Sequence, residues 1–109
     1  MAYDLDLAKQ IKEILAGMTG ISNKKMFGGI GFMLHGNMIC GVINKDLIVR
    51  VGLDQYDQCL ELPHTHVFDM TGRPMRGWVS VSPEGFETTD DLVKWVEKGI
   101  SFVKSLPPK

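Results

Sequence analysis

The residues best suited to chemistry lie in the segment TGRPMRGW, which spans residues 71–78. Arg73 and Arg76 flank a proline, and Trp78 adds an aromatic ring two residues later. A guanidinium presents a planar fork of donors that suits phosphate or carboxylate, and it also stacks on aromatic rings. Together with Arg50, these residues are our candidates for a site that binds an anion or a nucleic acid.

A purely structural interpretation of this segment stays open beside the functional one, and the sequence alone favours it. In that interpretation the segment is an exposed loop whose arginines pair with nearby acids, while Trp78 packs under the last helix. Lys24 and Lys25 would add positive charge to a binding patch only if the fold brings them close.

Two histidines form the second candidate group. His64 and His66 are two residues apart, so they project to the same side of a strand, and Asp69 follows closely. A zinc site needs three or four ligands, and the chain has no CxxC or HExxH motif to complete one. We therefore predict no metal and no cofactor, and we keep these three residues only as the alternative of a metal- or small-molecule-dependent enzyme.

Nucleophiles and acids give no catalytic pattern. Cys40, Cys59 and Ser80 could attack a substrate, yet none stands in a nucleophile-elbow motif, and Cys40 lies among apolar strand residues. No two carboxylates form an evident general acid–base pair, because they fall at caps, turns and exposed faces: Asp54, Asp57, Glu61, Glu84 and Glu87. The sequence therefore predicts a protein that is not an enzyme.

A glycine cluster at Gly28, Gly29 and Gly31 suggests a nucleotide-binding loop, but its details do not fit one. A dinucleotide fingerprint would need a third glycine where Leu34 stands, and no helix follows to offer its N-terminus to a phosphate. We instead predict a strand in which glycine permits a bulge or the close approach of a neighbour.

Hydrophobic periodicity predicts the element order α-β-β-β-α-β-β-α in one α+β domain over residues 1–109. Asp4 caps the first helix, Asp54 the second, and Thr88 with Asp91 begins the last. Turns as short as those predicted require antiparallel pairing. The predicted elements are helices at 4–17, 53–62 and 88–106, a connector at 18–25, and strands at 29–34, 38–43, 47–51, 66–70 and 77–82.

Composition narrows the class of protein. The 109 residues are 44% hydrophobic, which suits one modest core, and 12 basic against 13 acidic residues argue against autonomous duplex binding. No apolar run approaches the ~18 residues of a membrane span, and the N-terminus lacks the apolar stretch of a signal peptide. We expect a cytoplasmic, reduced protein, although a bond between its two cysteines stays open.

The stretch from Lys25 to Gly52, followed by GRPM at 72–75, GWV at 77–79 and a tryptophan in the last helix, resembles the TfoX/Sxy N-terminal domain family. Its most specific part is MFGG at 26–29, leading into a strand, a Gly-Asn turn and a second strand. The GRPMRGW block resembles the shorter, single-domain members of that family. The resemblance implies an α-β(3)-α-β(2)-α fold of the secretion-chaperone-like kind.

The resemblance also implies a function. Full-length TfoX proteins are bacterial regulators of natural competence that act with a cAMP-receptor-type activator and carry a second, helical domain. We expect a regulatory module that docks to a protein partner through its sheet face or through the edge from Arg73 to Trp78. Direct nucleic-acid binding is the alternative. The seven methionines are expected to fill gaps in the core, and a partly bare sheet face would instead mark an interface. A homodimer is a further possibility, because open sheets often leave an edge or a face exposed.

Overall fold

A computed structural model of the chain describes residues 3–26, 28–69 and 72–107. None of the helices in these ranges is long and apolar enough to cross a membrane. In chain order the elements are α1 (Leu5–Leu15), β1 (Ile21–Met26), β2 (Gly29–Leu34), β3 (Asn37–Ile43), β4 (Asp46–Arg50), α2 (Leu53–Leu60), β5 (Thr65–Asp69), β6 (Pro74–Val81), a short 3-10 helix (Pro83–Phe86) and α3 (Thr89–Lys104).

The six strands form one antiparallel sheet in the order β1-β2-β3-β4-β6-β5. Strands β1 to β4 follow one another as a meander. The β5–β6 hairpin then returns after α2, and β6 rather than β5 pairs with β4. This arrangement confirms the α+β class and the antiparallel pairing that the short turns required.

The connector predicted over residues 18–25 is wrong, because Ile21–Met26 forms strand β1 at one edge of the sheet. The four residues in the middle of this strand are exposed, so the segment shows no apolar alternation. Lysine on an outer strand is also a common device against unwanted strand pairing. Because the middle residues of this edge strand are polar, their pattern predicted a loop.

The predicted caps of the outer helices are confirmed, and the middle one is wrong. The Asp4 carboxylate accepts hydrogen bonds from the Asp6 and Leu7 backbone N–H groups at 2.9 and 3.1 Å. The Thr88 hydroxyl accepts from Asp91 N–H at 3.1 Å. Helix α2 instead begins after Gly52, whose φ of 85° reverses the chain without any side-chain cap.

One face of the sheet, which we call the helix face, carries the core. Strand register places its residues side by side, and each is at most 1% exposed: Phe32, Cys40, Val42, Leu47, Val49, Val79 and Val81. These side chains form one hydrophobic cluster with the buried residues of α1, α2 and α3. All three helices therefore cover the same side of the sheet.

The opposite side, which we call the open face, carries no helix in the described part of the chain. Register assigns to it the side chains that alternate with the core: Gly31, Met33, Met38, Gly41, Ile48, Ser80 and Trp78. The Met38 methyl group lies over both Gly31 and Gly41, so a methionine fills the space that the glycines leave. Met33, Ser80 and Trp78 are only partly buried although they lie on interior strands.

Both cysteines are buried and unpaired, so they form no disulfide. Burial raises the pKa of the Cys40 thiol from 9.0 to about 12. An unfolded chain releases that proton near pH 9.0, whereas the folded chain keeps it, so stability is complete below this pH and is lost as the pH rises toward 12. The thiol packs as a small hydrophobe.

We expect this thiol to make the fold sensitive to alkali. Raising the pH from about 8 to about 10 should remove about 1.4 kcal/mol of unfolding free energy through Cys40 alone. Urea titrations at both pH values measure this change, and the Cys40→Ala variant should show a correspondingly shallower decline. Equal pH dependence in the two proteins would contradict the assignment.

Candidate functional site

Two of the predicted binding residues meet on the open face. Arg50, at the end of β4, is the register partner of Trp78 on β6. Its guanidinium carbon lies 5.5 Å from the centroid of the Trp78 ring and 5.2 Å from that of Phe102 on α3. Both distances fall within the ~6 Å over which a cation is attracted to an aromatic face. The two rings therefore stabilise the Arg50 guanidinium in this position.

A bulge at Gly77 positions Trp78 beside Arg50. Gly77 has a φ of 91°, a conformation that side-chain-bearing residues rarely adopt. Its carbonyl oxygen accepts hydrogen bonds from the backbone N–H groups of Val51 at 2.9 Å and Gly52 at 3.0 Å. These bonds join the end of β4 to β6 just before Trp78. Trp78 is thereby held beside Arg50.

A further ring extends the arrangement to the edge of the sheet. The Phe68 ring on β5 lies 6.3 Å from the Trp78 ring, with an angle of 42° between their planes. Phe68, Trp78, Arg50 and Phe102 thus form a continuous line of planar groups, which we call the aromatic row. It combines flat apolar surfaces with a cation, which suits a ligand that is both planar and anionic.

The other two predicted arginines lie at a different place. Arg73 and Arg76 are exposed at the end of the β5–β6 hairpin, before the Gly77 bulge. Met75 and Val67, which are 36% and 44% exposed, belong to the same hairpin. We call Val67, Arg73, Met75 and Arg76 the hairpin edge.

The structural interpretation of this segment fails at the tryptophan. Trp95, which is 6% exposed, is the tryptophan in the core, and its indole N–H donates to the Gly85 carbonyl at 3.3 Å. Trp78 instead contacts Phe68 and Arg50 on the open face. The tryptophan of the GRPMRGW block is therefore available to a ligand in a way that the buried one is not.

The residues proposed for a metal site, His64, His66 and Asp69, each have a different local environment. His66 shares a hydrogen bond of 2.8 Å between its Nε2 and the Ser82 hydroxyl. The Asp69 carboxylate accepts from the Gly72 backbone N–H at 2.6 Å, which closes the hairpin turn. His64 is exposed in a turn with a φ of 62°. No three histidine, cysteine or acidic side chains among the described residues are grouped to hold a metal ion.

The possible nucleophiles are also apart from one another in the fold. Cys40 is fully buried on the helix face, and its raised pKa keeps it protonated. Burial also raises the pKa of Cys59 on α2, an effect that the nearby Lys98 opposes. Ser80 lies partly exposed on the open face. The five carboxylates considered as acids or bases are all exposed.

The chain matches the family model described as the TfoX N-terminal domain over residues 13–103. It belongs to that family. The match includes nearly the whole chain and confirms the resemblance carried by the glycine cluster and the GRPMRGW block. No curated protein and no solved structure matches it significantly.

The charges of this TfoX N-terminal domain are divided between its two layers. The strands and their turns, residues 21–51 and 65–81, carry six basic and two acidic side chains. The described helices and their flanking loops, at 3–20, 52–64 and 82–107, carry five basic and eleven acidic side chains. The net charge of −1 thus conceals a basic sheet layer and an acidic helix layer.

Proposed function

We propose that this TfoX N-terminal domain is a non-enzymatic regulatory module of the bacterial cytoplasm that acts in transcription by docking to a protein. The family membership of the chain carries this proposal. The burial of both thiols and the separation of the histidines support it, because neither group is arranged for catalysis.

The hairpin edge is the surface that we assign to the protein contact. Strand β5 is the outermost strand on its side of the sheet, so its outer backbone groups can pair with an added strand. Two of the large exposed hydrophobic side chains, Val67 and Met75, belong to the same hairpin as two exposed arginines, and Met75 lies between these arginines in the sequence. Apolar anchors next to arginine are typical of protein interfaces.

Affinity capture tests this surface. The tagged wild-type chain should retain a specific protein from a lysate of the encoding bacterium, and the double variant Arg73→Ala/Arg76→Ala should retain about tenfold less of it. The matched control is Lys94→Ala/Lys98→Ala, which removes two positive charges from the acidic layer and should retain the wild-type amount. Capture that is absent, or equally reduced in both variants, contradicts the proposal.

A second candidate function is supported by an independent observation. The positive charge of the sheet layer and the aromatic row favour direct contact with nucleic acid, although the net charge of −1 argues against autonomous duplex binding. That contact would use a different surface from the hairpin edge.

A further inference from the structure

We propose that the open face binds a single-stranded nucleic acid, whose bases stack on the aromatic row while its phosphates meet Arg50. The inference goes beyond the protein contact proposed for the hairpin edge. Each of the two surfaces can be altered without touching the other.

The first argument is the arrangement of rings. An uncovered antiparallel sheet with aromatic side chains on adjacent strands offers flat surfaces on which unpaired bases stack. Phe68 and Trp78 lie on the adjacent strands β5 and β6, 6.3 Å apart, and Arg50 follows on β4. The row therefore runs across the strands and continues to Phe102 at the end of the sheet.

The second argument is the charge around the row. Arg50 forms no ion pair with a carboxylate in the described part of the chain, and its neighbours are rings. The two acids of the sheet layer lie away from it. Asp46 is at the opposite end of β4, about 13 Å along the strand, and Asp69 is bonded to the hairpin turn. The part of the row on the open face can therefore meet a polyanion away from these two carboxylates, whereas its far end at Phe102 shares a cavity with Asp54 and Glu97.

The third argument separates a single strand from a duplex. Reading a duplex through its major groove takes a helix or a two-stranded ribbon that fits a groove about 12 Å wide. All three helices pack against the helix face, and three of the four members of the aromatic row, Phe68, Trp78 and Arg50, stand on strands of a broad sheet. Stacking also needs bases whose faces are free, which a duplex does not offer.

Fluorescence anisotropy with labelled oligonucleotides tests the proposal. Oligo-dT and oligo-rU of about 20 nucleotides serve as probes, with a duplex of the same length beside them. The wild-type chain should bind both single strands more tightly than the duplex. Its affinity should fall steeply as salt rises from about 50 to about 200 mM.

Variants then locate the binding surface. Trp78→Leu and Arg50→Gln should each weaken binding to the single strands about tenfold. Ser80→Glu places a carboxylate on the open face without removing packing, so it should weaken binding even if Trp78→Leu proves unstable. The control Lys9→Gln/Lys12→Gln, at exposed positions of α1 in the acidic layer, should stay within about twofold of wild type.

Tryptophan fluorescence adds a readout of stacking. The chain has two tryptophans, and Trp95 is buried on the other side of the sheet. Oligo-dT should quench the wild-type emission, and the quenching should disappear in Trp78→Leu although Trp95 remains.

Four results would overturn the proposal. In the first, the wild-type chain binds no oligonucleotide at low salt. In the second, it binds the duplex as tightly as the single strands. In the third, the lysine control loses as much affinity for single strands as the open-face variants do. The fourth is a wild-type chain that sediments as a dimer, binds no oligonucleotide and dissociates when Trp78 is changed. That result would assign the open face to a second copy of the chain. None of them bears on protein capture by the hairpin edge.

Discussion

Phe32→Ala is expected to remove about 3–5 kcal/mol from the free energy of unfolding, because it deletes a large ring at the centre of the core. Phe32 is 1% exposed on β2, where it pairs with Cys40 under the helices. Domains of this size have about 5–15 kcal/mol in total, so the loss is a large part of the whole. Urea unfolding followed by circular dichroism measures it.

The next residue along the strand supplies the control. Met33 is partly buried on the open face, and Met33→Ala should cost about 1 kcal/mol because its side chain already meets solvent. Similar losses in the two variants would show that the two faces of the sheet are not distinguished as described. The urea dependence should have the same slope in both, since neither change alters how much surface unfolding exposes.

The division of the molecule into layers links its stability to its function. Because all three helices pack on the helix face, the buried core depends little on the open face. Residues such as Trp78 and Arg50 are therefore free to serve binding, and substitutions there are expected to change affinity more than stability. Among the described open-face residues other than glycine, Ile48 alone is deeply buried, and at 2% exposed it lies outside the main cluster.

Much of the fold could be predicted because local patterns agreed with the tertiary structure. The meander from Gly29 to Arg50 alternates or stays apolar where its strands are covered, and its turns are too short for anything but antiparallel pairing. The cap at Thr88 marked α3 correctly. Strand β1 could not be found this way, since an edge strand with polar side chains on both faces has no apolar period to detect.

The site was only partly predictable. Arg50 and Trp78 were both candidates, but their contact depends on β6 pairing with β4 after α2 intervenes. No local pattern specifies that pairing. Phe68 lies in a short strand with a weak pattern, and Phe102 reaches Arg50 only through the packing of α3. The division of charge could be predicted from the sequence, because most acidic residues fall in the predicted helical segments and half of the basic residues in the predicted strands, turns and connector. The net charge of the whole chain does not show this division.

Gly99→Ala should destabilise the protein although alanine is the better helix former. Gly99 lies inside α3, where alanine would ordinarily gain about 1 kcal/mol. An added Cβ would stand 2.6 Å from the Ile39 carbonyl oxygen and 2.7 Å from its Cγ2. Ile39 is 0% exposed and has no register partner on β2, so it lies at a bulge enclosed by the core.

The clash should therefore outweigh the gain in helix propensity. We expect a net loss of about 2 kcal/mol in the free energy of unfolding, because neither α3 nor β3 can move apart without opening the core. Gly17→Ala is the matched control: no atom lies within 4 Å of its added Cβ, so its stability should stay within about 0.5 kcal/mol of wild type. If Gly99→Ala were neutral in the same urea titrations, the close crossing of α3 over Ile39 would not be rigid, and the position of Phe102 beside Arg50 would lose its structural basis.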